Sequence, residues 1–157
     1  MNHAGQGELS IDNRATDLGI VDALVRLSFA VQGVLTRVAA EYDVSLIQVR
    51  LLGVLRDHEP GMMELAQFLG LDKSSMTGLV DRAERRGFVR RTMPPEDRRT
   101  VHVALTDRGR ELAQAFAAQV DRDLGVLVEP LSAAERKRLS VLASRVAVSV
   151  DRAAHHL

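Results

Sequence analysis

The chemistry open to this chain of 157 residues rests on arginine, hydroxyl and histidine side chains, because it contains no cysteine. Disulfides, thiol redox sensing and cysteine-ligated zinc are thereby excluded. The arginines are unevenly spread. Between residues 82 and 99 stand Arg82, Arg85, Arg86, Arg90, Arg91, Arg98 and Arg99, against only Glu84, Glu96 and Asp97. The whole chain has a formal net charge of zero, so bulk composition says nothing of a polyanionic partner. A local basic surface on a neutral protein can still hold phosphates, since fields are screened over about 8–10 Å in physiological salt. Directly ahead of that window lie Lys73, Ser74, Ser75, Thr77, Gly78 and Asp81. Small hydroxyls allow close approach, and their O–H groups can reach bases or phosphates.

Other chemistries find less support. His3, His58, His102, His155 and His156 form no two-histidine spacing with a carboxylate that suits a metal, and no cofactor is implied. There is no Gly-x-Ser-x-Gly, no phosphate-cradling glycine loop and no cysteine nucleophile. The sequence is therefore not read as an enzyme. The polar stretch Met1 to Thr16 has no apolar core of an export signal, and no uncharged apolar run nears the roughly 18 residues of a membrane span. A cytoplasmic protein without membrane contact is expected.

The elements that must position these residues are mostly helical. Hydrophobic residues make up 46% and aromatics 3%, so aliphatic side chains must fill the core. Residues 1–16 read as a flexible arm. Ile20, Leu24, Leu27, Val31, Leu35 and Val38 then recur at helical spacing, giving a helix over 17–42. Ser45 and Gln48 match a capping box, followed by Leu46, Val49, Leu52 and Leu55, with Pro60-Gly61 ending the helix. A short helix over 62–69 meets a tight turn at Gly70-Leu71-Asp72. A second helix over 73–86 follows, with Met76, Leu79, Val80 and Ala83 on one face and Gly87 as its left-handed stop. Residues 88–93 and 100–105 read as two strands around Pro94-Pro95-Glu96-Asp97, with Val101, Val103 and Leu105 on one side. Thr106 caps a helix lined by Leu112, Phe116, Val120 and Leu124. Pro130 stops it, and Ser132 with Glu135 starts a last helix carrying Leu139, Leu142, Ala143, Val146 and Val150.

Helix, tight turn, helix and hairpin together make a winged helix-turn-helix: mainly α, with a small β-hairpin wing. In such a unit the second helix enters the major groove, where base edges distinguish all four pairs. The face opposite its apolar stripe carries Ser74, Ser75, Thr77, Gly78, Asp81, Arg82 and Arg85, and the helix N-terminus favours a phosphate. Taken alone, this is equally an amphipathic helix with a solvated face, and the hairpin tip equally a solvated loop. The tip can instead place an arginine in the minor groove.

The chain resembles the multiple-antibiotic-resistance regulator (MarR) family. The residues that carry the resemblance are Leu65-Ala66, Leu69-Gly70-Leu71-Asp72-Lys73-Ser74-Ser75-Met76-Thr77 and Leu79-Val80-Asp81-Arg82. They continue with Gly87-Phe88-Val89-Arg90-Arg91 and the stretch from Asp97-Arg98-Arg99 through Leu105-Thr106 to Gly109. The resemblance spans about residues 17–150. It implies a homodimer on a pseudo-palindromic duplex site, with helices over 17–44 and 107–157 forming the dimer layer and 45–106 the DNA-binding part. It makes Ser74, Ser75, Thr77 and Arg82 major-groove readers, with Lys73, Gly78, Asp81, Arg85 and Arg86 on the same helix. Arg99 becomes the minor-groove arginine held by Asp97 or a nearby acid, with Arg98 a second candidate.

It further implies a repressor released by a small, often aromatic, anion bound between the dimer layer and the winged part. Arg26 and His58 are the candidates for that ligand, and both are equally ordinary surface or junction residues. The apolar stripes outside 45–106 favour pairing with a second copy, although extra helices covering the winged part would also bury them. A winged-helix module that docks protein instead of DNA is the alternative function.

Overall fold

The structure, a computed structural model, describes residues 18–93 and 100–154, with side chains as far as Ser149. The order is α1 (Gly19–Glu41), α2 (Leu46–Asp57), α3 (Met62–Leu69), α4 (Lys73–Arg85), β1 (Val89–Thr92), β2 (His102–Leu105), α5 (Asp107–Val128) and α6 (Ala133–Ala154). The mainly helical fold with one antiparallel hairpin is as expected. Val89 pairs with Leu105, Arg90 with Ala104, Arg91 with Val103 and Thr92 with His102. The expected tip of the hairpin, Pro94 to Arg99, lies outside the described residues.

Local chemistry accounts for the helix ends. The capping box at α2 is formed: Gln48 N–H donates to Ser45 Oγ, and Ser45 N–H to Gln48 Oε1. Ser132 and Glu135 repeat it before α6. Three helices stop by one device, a left-handed residue followed by an apolar one. At α3, Gly70 takes φ 64°, and Leu71 N–H reaches back to Ala66 O. After α4, Gly87 takes φ 73°, and Phe88 N–H reaches Ala83 O. After α1 the left-handed residue is Asp43 at φ 53°, with Val44 N–H on Ala39 O. Aspartate tolerates this region better than most side chains. The reach-back bond satisfies an orphan carbonyl each time, and the apolar residue folds over the last turn.

The core lies beneath α2, α3, α4 and the hairpin. Val38, Leu51, Leu65, Met76, Leu79, Val80, Val89 and Val103 are its most deeply buried large side chains, joined by Val34 and Ala39, which like Val38 come from the C-terminal half of α1, and by Phe116 from α5. Two details depart from the sequence pattern. Ala104 is as buried as Val103, while Val101 is only half-buried. Strict alternation fails because α2 and α5 both close on β2. Pro60-Gly61 also does more than end α2. Val103 N–H donates to Pro60 O and Met62 N–H to Val101 O, so residues 60–62 line the free edge of β2.

The junction of hairpin and α5 is tighter still. Thr106 Oγ1 accepts from Gly109 N–H, capping α5, and donates to Gly87 O at 2.6 Å. Thr106 N–H donates to Phe88 O. A β-carbon on Gly109 would lie 1.9 Å from that same carbonyl oxygen. The spacing Leu-Thr-x-x-Gly thus encodes one contact: threonine ties the carbonyls, and glycine lets the helix lie on them.

Outside this body, apolar surface is left open. Ile20 is 74% and Phe29 67% exposed on α1, and every described side chain of α6 from Ala133 to Ser149 is exposed. Among the described helices, α1 alone is long and apolar enough to cross a membrane by length and composition. Asp22 and Arg26 on its exposed half, and the burial of Val34, Val38 and Ala39, fit an amphipathic helix with one face in the core.

Gly109→Ala should be the costliest glycine-to-alanine change among the described glycines. Overpacking typically costs about 1–3 kcal/mol, and a rigid carbonyl puts this site at about 3 kcal/mol or above. Chemical denaturation measures it. A midpoint equal to that of the parent protein would mean α5 slides freely on the hairpin.

Candidate nucleic-acid interface

α4 is positioned from below by Met76, Leu79, Val80 and Ala83, all buried. That stripe turns Lys73, Ser74, Ser75, Thr77, Arg82 and Arg85 to solvent, with Gly78 and Asp81 half-buried beside them. The Arg82 guanidinium lies across Gly78, where an added β-carbon would meet Nη1 at 3.2 Å. A larger residue at 78 would push that cation aside.

The N-terminus of α4 is closed by Asp72. Its Oδ1 accepts from Ser74 N–H and Ser75 N–H, both at 2.9 Å. The two seryl hydroxyls donate to the same carboxylate at 2.6 Å each. These hydroxyl bonds, first that from Ser74, hold the Asp72 carboxyl well below the ordinary carboxylate range. A depressed carboxyl contributes stability that is fully present above its unfolded value and is lost as pH falls through the folded one. The cap therefore weakens only in acid below the usual carboxylate range. Thr77 Oγ1 donates to Lys73 O at 2.9 Å, so its proton is also engaged within the helix.

The basic window divides in two. Arg86, at the C-cap of α4, turns away from the exposed face. It donates to Asp43 O at 2.5 Å and lies over the Phe88 ring at 4.7 Å. Arg108 covers the same ring at 5.3 Å. Arg91 on β1 reaches back to α4, pairing with Asp81 at 2.5 Å and with Glu84. Its backbone N–H also donates to Glu84 Oε1. The Asp81 hydrogen bond, foremost among the causes, raises the Arg91 guanidinium above its ordinary value. Arg82, Arg85 and Arg90 are exposed and make no ion pair among the described residues. An exposed cationic helix face beside a hairpin is thus held by two neutralised arginines beneath it. Asp97, Arg98 and Arg99 lie outside the described residues.

A model described as the MarR family matches residues 42–100. The HTH-type transcriptional repressor NicR of Pseudomonas putida is 30% identical over 116 residues, 73% of each chain. The HTH-type transcriptional regulator YfiV of Bacillus subtilis is 33% identical over 96 residues, 60% of each chain. The chain belongs to the MarR family. Among solved structures, CouR of Rhodococcus jostii RHA1 bound to p-coumaroyl-CoA superposes with a TM-score of 0.67 at 28% identity, covering 85% of this chain and 95% of that one. The repressor CouR bound to a 23-mer DNA duplex gives 0.67 at 26%, covering 85% and 97%. This MarR-family chain is a DNA-binding transcription regulator with the winged-helix fold.

Two cavities bear on a ligand for this regulator. One, of about 230 Å³, lies between α2 and α5 and is lined by Val49, Leu52, Arg56, Phe116 and Val120 among others. The other, of about 210 Å³, is polar and is lined by Arg56, His58, Glu59 and Arg110 among others. Arg26 lines neither, sitting on the exposed half of α1. The structure does not bring Arg26 and His58 to one site. Arg56, overlooked in the sequence, is shared by both cavities. It is paired with Asp57 at 2.8 Å, and no periodicity marks such a cation.

Removing Arg91 should leave Asp81 and Glu84 uncompensated beside Arg82 and Arg85. Affinity of Arg91→Ala for any duplex should then fall about tenfold through like-charge repulsion of phosphate. Adding Asp81→Asn and Glu84→Gln should recover most of the loss in an anisotropy titration. Parent-like affinity of the single variant would show that these carboxylates do not face the DNA.

Proposed function

We propose that this regulator is a homodimeric repressor of a pseudo-palindromic operator, released by a small anion with an apolar, often aromatic, body. The observation that carries the DNA reading is the solvent face of α4, with Lys73, Arg82 and Arg85 free beside the small side chains Ser74, Ser75, Thr77 and Gly78. Arg82 and Arg85 suit guanine edges or phosphates. Arg98 and Arg99, with Asp97 as holder, supply the minor-groove contact. Asp81 acts through Arg91, and Arg86 serves as a brace for the corner after α1. The relatives NicR and CouR are named as repressors. The site of action is the cytoplasm.

The dimer reading rests on the open apolar faces of α1 and α6. Leu142 and Val146 are 56% and 53% exposed on a helix whose described side chains, Ala133 to Ser149, are all exposed. Burying such surface is worth about 25 cal/mol per Å², and a second copy offers a matching face. Residues 17–44 and 107–157 form the dimer layer in this reading, and 45–106 the reading lobe. The second half of α1 belongs to both, since Val34 and Val38 sit in the lobe's core.

The ligand reading rests on the apolar cavity between α2 and α5, with Arg56 to meet a carboxylate. His58 in the neighbouring polar cavity is a further contact, and Arg26 lines neither cavity of its own chain. CouR is bound to p-coumaroyl-CoA in its solved structure, an aromatic thioester body on an anionic carrier.

Titration of labelled duplex from upstream of the gene tests the DNA reading. Binding should exceed that to a scrambled duplex, and about six phosphate contacts would lower affinity roughly a thousandfold between 50 and 200 mM salt. Arg99→Ala should weaken operator binding with the dimer intact. Salt-insensitive binding, or none to either duplex at low salt, favours a protein-docking module. For the dimer, Val146→Glu should sediment as a monomer and bind a half-site only; a dimeric Val146→Glu places the interface elsewhere.

A further inference from the structure

Ser74 and Ser75 stand at the exposed start of α4, yet their hydroxyl protons are already committed. Ser74 Oγ donates to Asp72 Oδ1 and Ser75 Oγ to Asp72 Oδ2, both at 2.6 Å. A hydroxyl has one proton and two lone pairs. What each serine offers outward is therefore an acceptor. The bonds are short and charge-assisted, the stronger kind, and they hold the Asp72 carboxyl below its ordinary value, favouring the charged acceptor. The backbone N–H groups of Ser74 and Ser75, which could otherwise meet a phosphate, also point at Asp72. A carboxylate at that place repels a phosphate, so the anion expected at this helix terminus is displaced by the chain's own.

The major groove offers two donors, the adenine N6 amino and the cytosine N4 amino group; guanine and thymine present acceptors at the corresponding edge. We propose that Asp72 fixes the hydrogen-bond polarity of Ser74 and Ser75 so that they accept from an adenine or cytosine amino group. Guanine, thymine and phosphate oxygens are refused, because no proton is available for them. Every base pair carries one amino group of this kind, so the selection is for which strand bears it. Asp72 is a positioning residue in this scheme, acting through the two serines. The inference rests on the proposed groove reading by α4.

Selection from a randomised duplex library, with wild type and Asp72→Thr, tests it. Threonine also caps helices, so α4 persists while the seryl protons are released. Wild type should enrich sites with adenine or cytosine at one position of each half-site, preferred roughly tenfold over guanine or thymine. Asp72→Thr should lose that preference at this position and keep the others. A purely structural cap would lower affinity evenly and leave the preference intact. In the selected site, replacing that adenine by purine deoxyriboside, or that cytosine by its 4-desamino analogue, should cost wild type about tenfold. It should cost Ser74→Ala or Ser75→Ala almost nothing. This arm uses the unaltered cap and holds even if Asp72→Thr does not fold. No loss on removing the amino group, or an unchanged preference in Asp72→Thr, overturns the inference and leaves DNA binding standing. No enrichment of any duplex overturns the groove reading itself.

Discussion

The fold hangs on the approach of α5 to the Phe88 carbonyl. There is no room for a side chain at Gly109, and Thr106 fixes both Gly87 O and the first turn of α5 through one hydroxyl. The corner after α4, the start of β1, the end of β2 and the start of α5 therefore meet within a few ångströms. Phe88 is sealed on top by Arg86 and Arg108. From this joint α5 runs on to Phe116, which packs near Tyr42, and to Asp123, which pairs with Arg37 of α1 at 2.8 Å. The angle between α4 and α5 is set here.

The same joint explains why a run of arginines does not make one basic patch. Arg86 ties the left-handed Asp43 corner to the end of α4, and Arg91 ties β1 to the side of α4. Arg91 also neutralises Asp81 and Glu84, acids that lie beside the exposed face. Among the described residues of the window, Arg82, Arg85 and Arg90 are left exposed without an ion pair, with Lys73 beside them on α4. They are held on a frame that cannot rotate α4 without breaking an ion pair. Half-exposed pairs contribute little stability; their effect here is on orientation.

Most of the architecture was legible because it rests on local chemistry. Both capping boxes, the Gly70 and Gly87 stops, the core stripe of α4 and the hairpin strands depend on neighbours within a few residues. What failed to show depends on residues far apart in sequence. Arg86 meets Asp43 across 43 positions, and residues 60–62 meet β2 across about 40. Neither leaves a periodic trace. The exposed face of α4 could be read from its stripe, but the direction of the seryl protons could not, because Asp72 reads equally as a turn residue. Of the ligand candidates, His58 lines the polar cavity beside Arg56 and Arg26 lines neither, while Arg56 joins the two cavities through the packing of α2 on α5. The stripe of α1 is helical as its period implies, yet half of it faces outward. Period alone reports an apolar face and says nothing of whether its partner is in the same chain.

Under the proposed release, these parts form one lever. Phe116, on the wall of the α2–α5 cavity, lies about two turns, roughly 10 Å, along α5 from Gly109. A ligand that wedges α2 from α5 has to tilt one of them. α2 is held by Leu51, Leu52 and Leu55 in the core, whereas α5 sends only Phe116 there as a buried side chain and is otherwise tied at its first turn and through Asp123 to Arg37 of α1, so the tilt falls on α5. A tilt of α5 cannot be absorbed at Gly109, where the carbonyl and the backbone are already in contact. It must pass to the hairpin, and through Arg91 to α4. Such a change shifts DNA affinity only by the ligand's differential affinity for the two arrangements. The rigidity of a contact without a β-carbon is what would let a small wedge reach the reading helix at all.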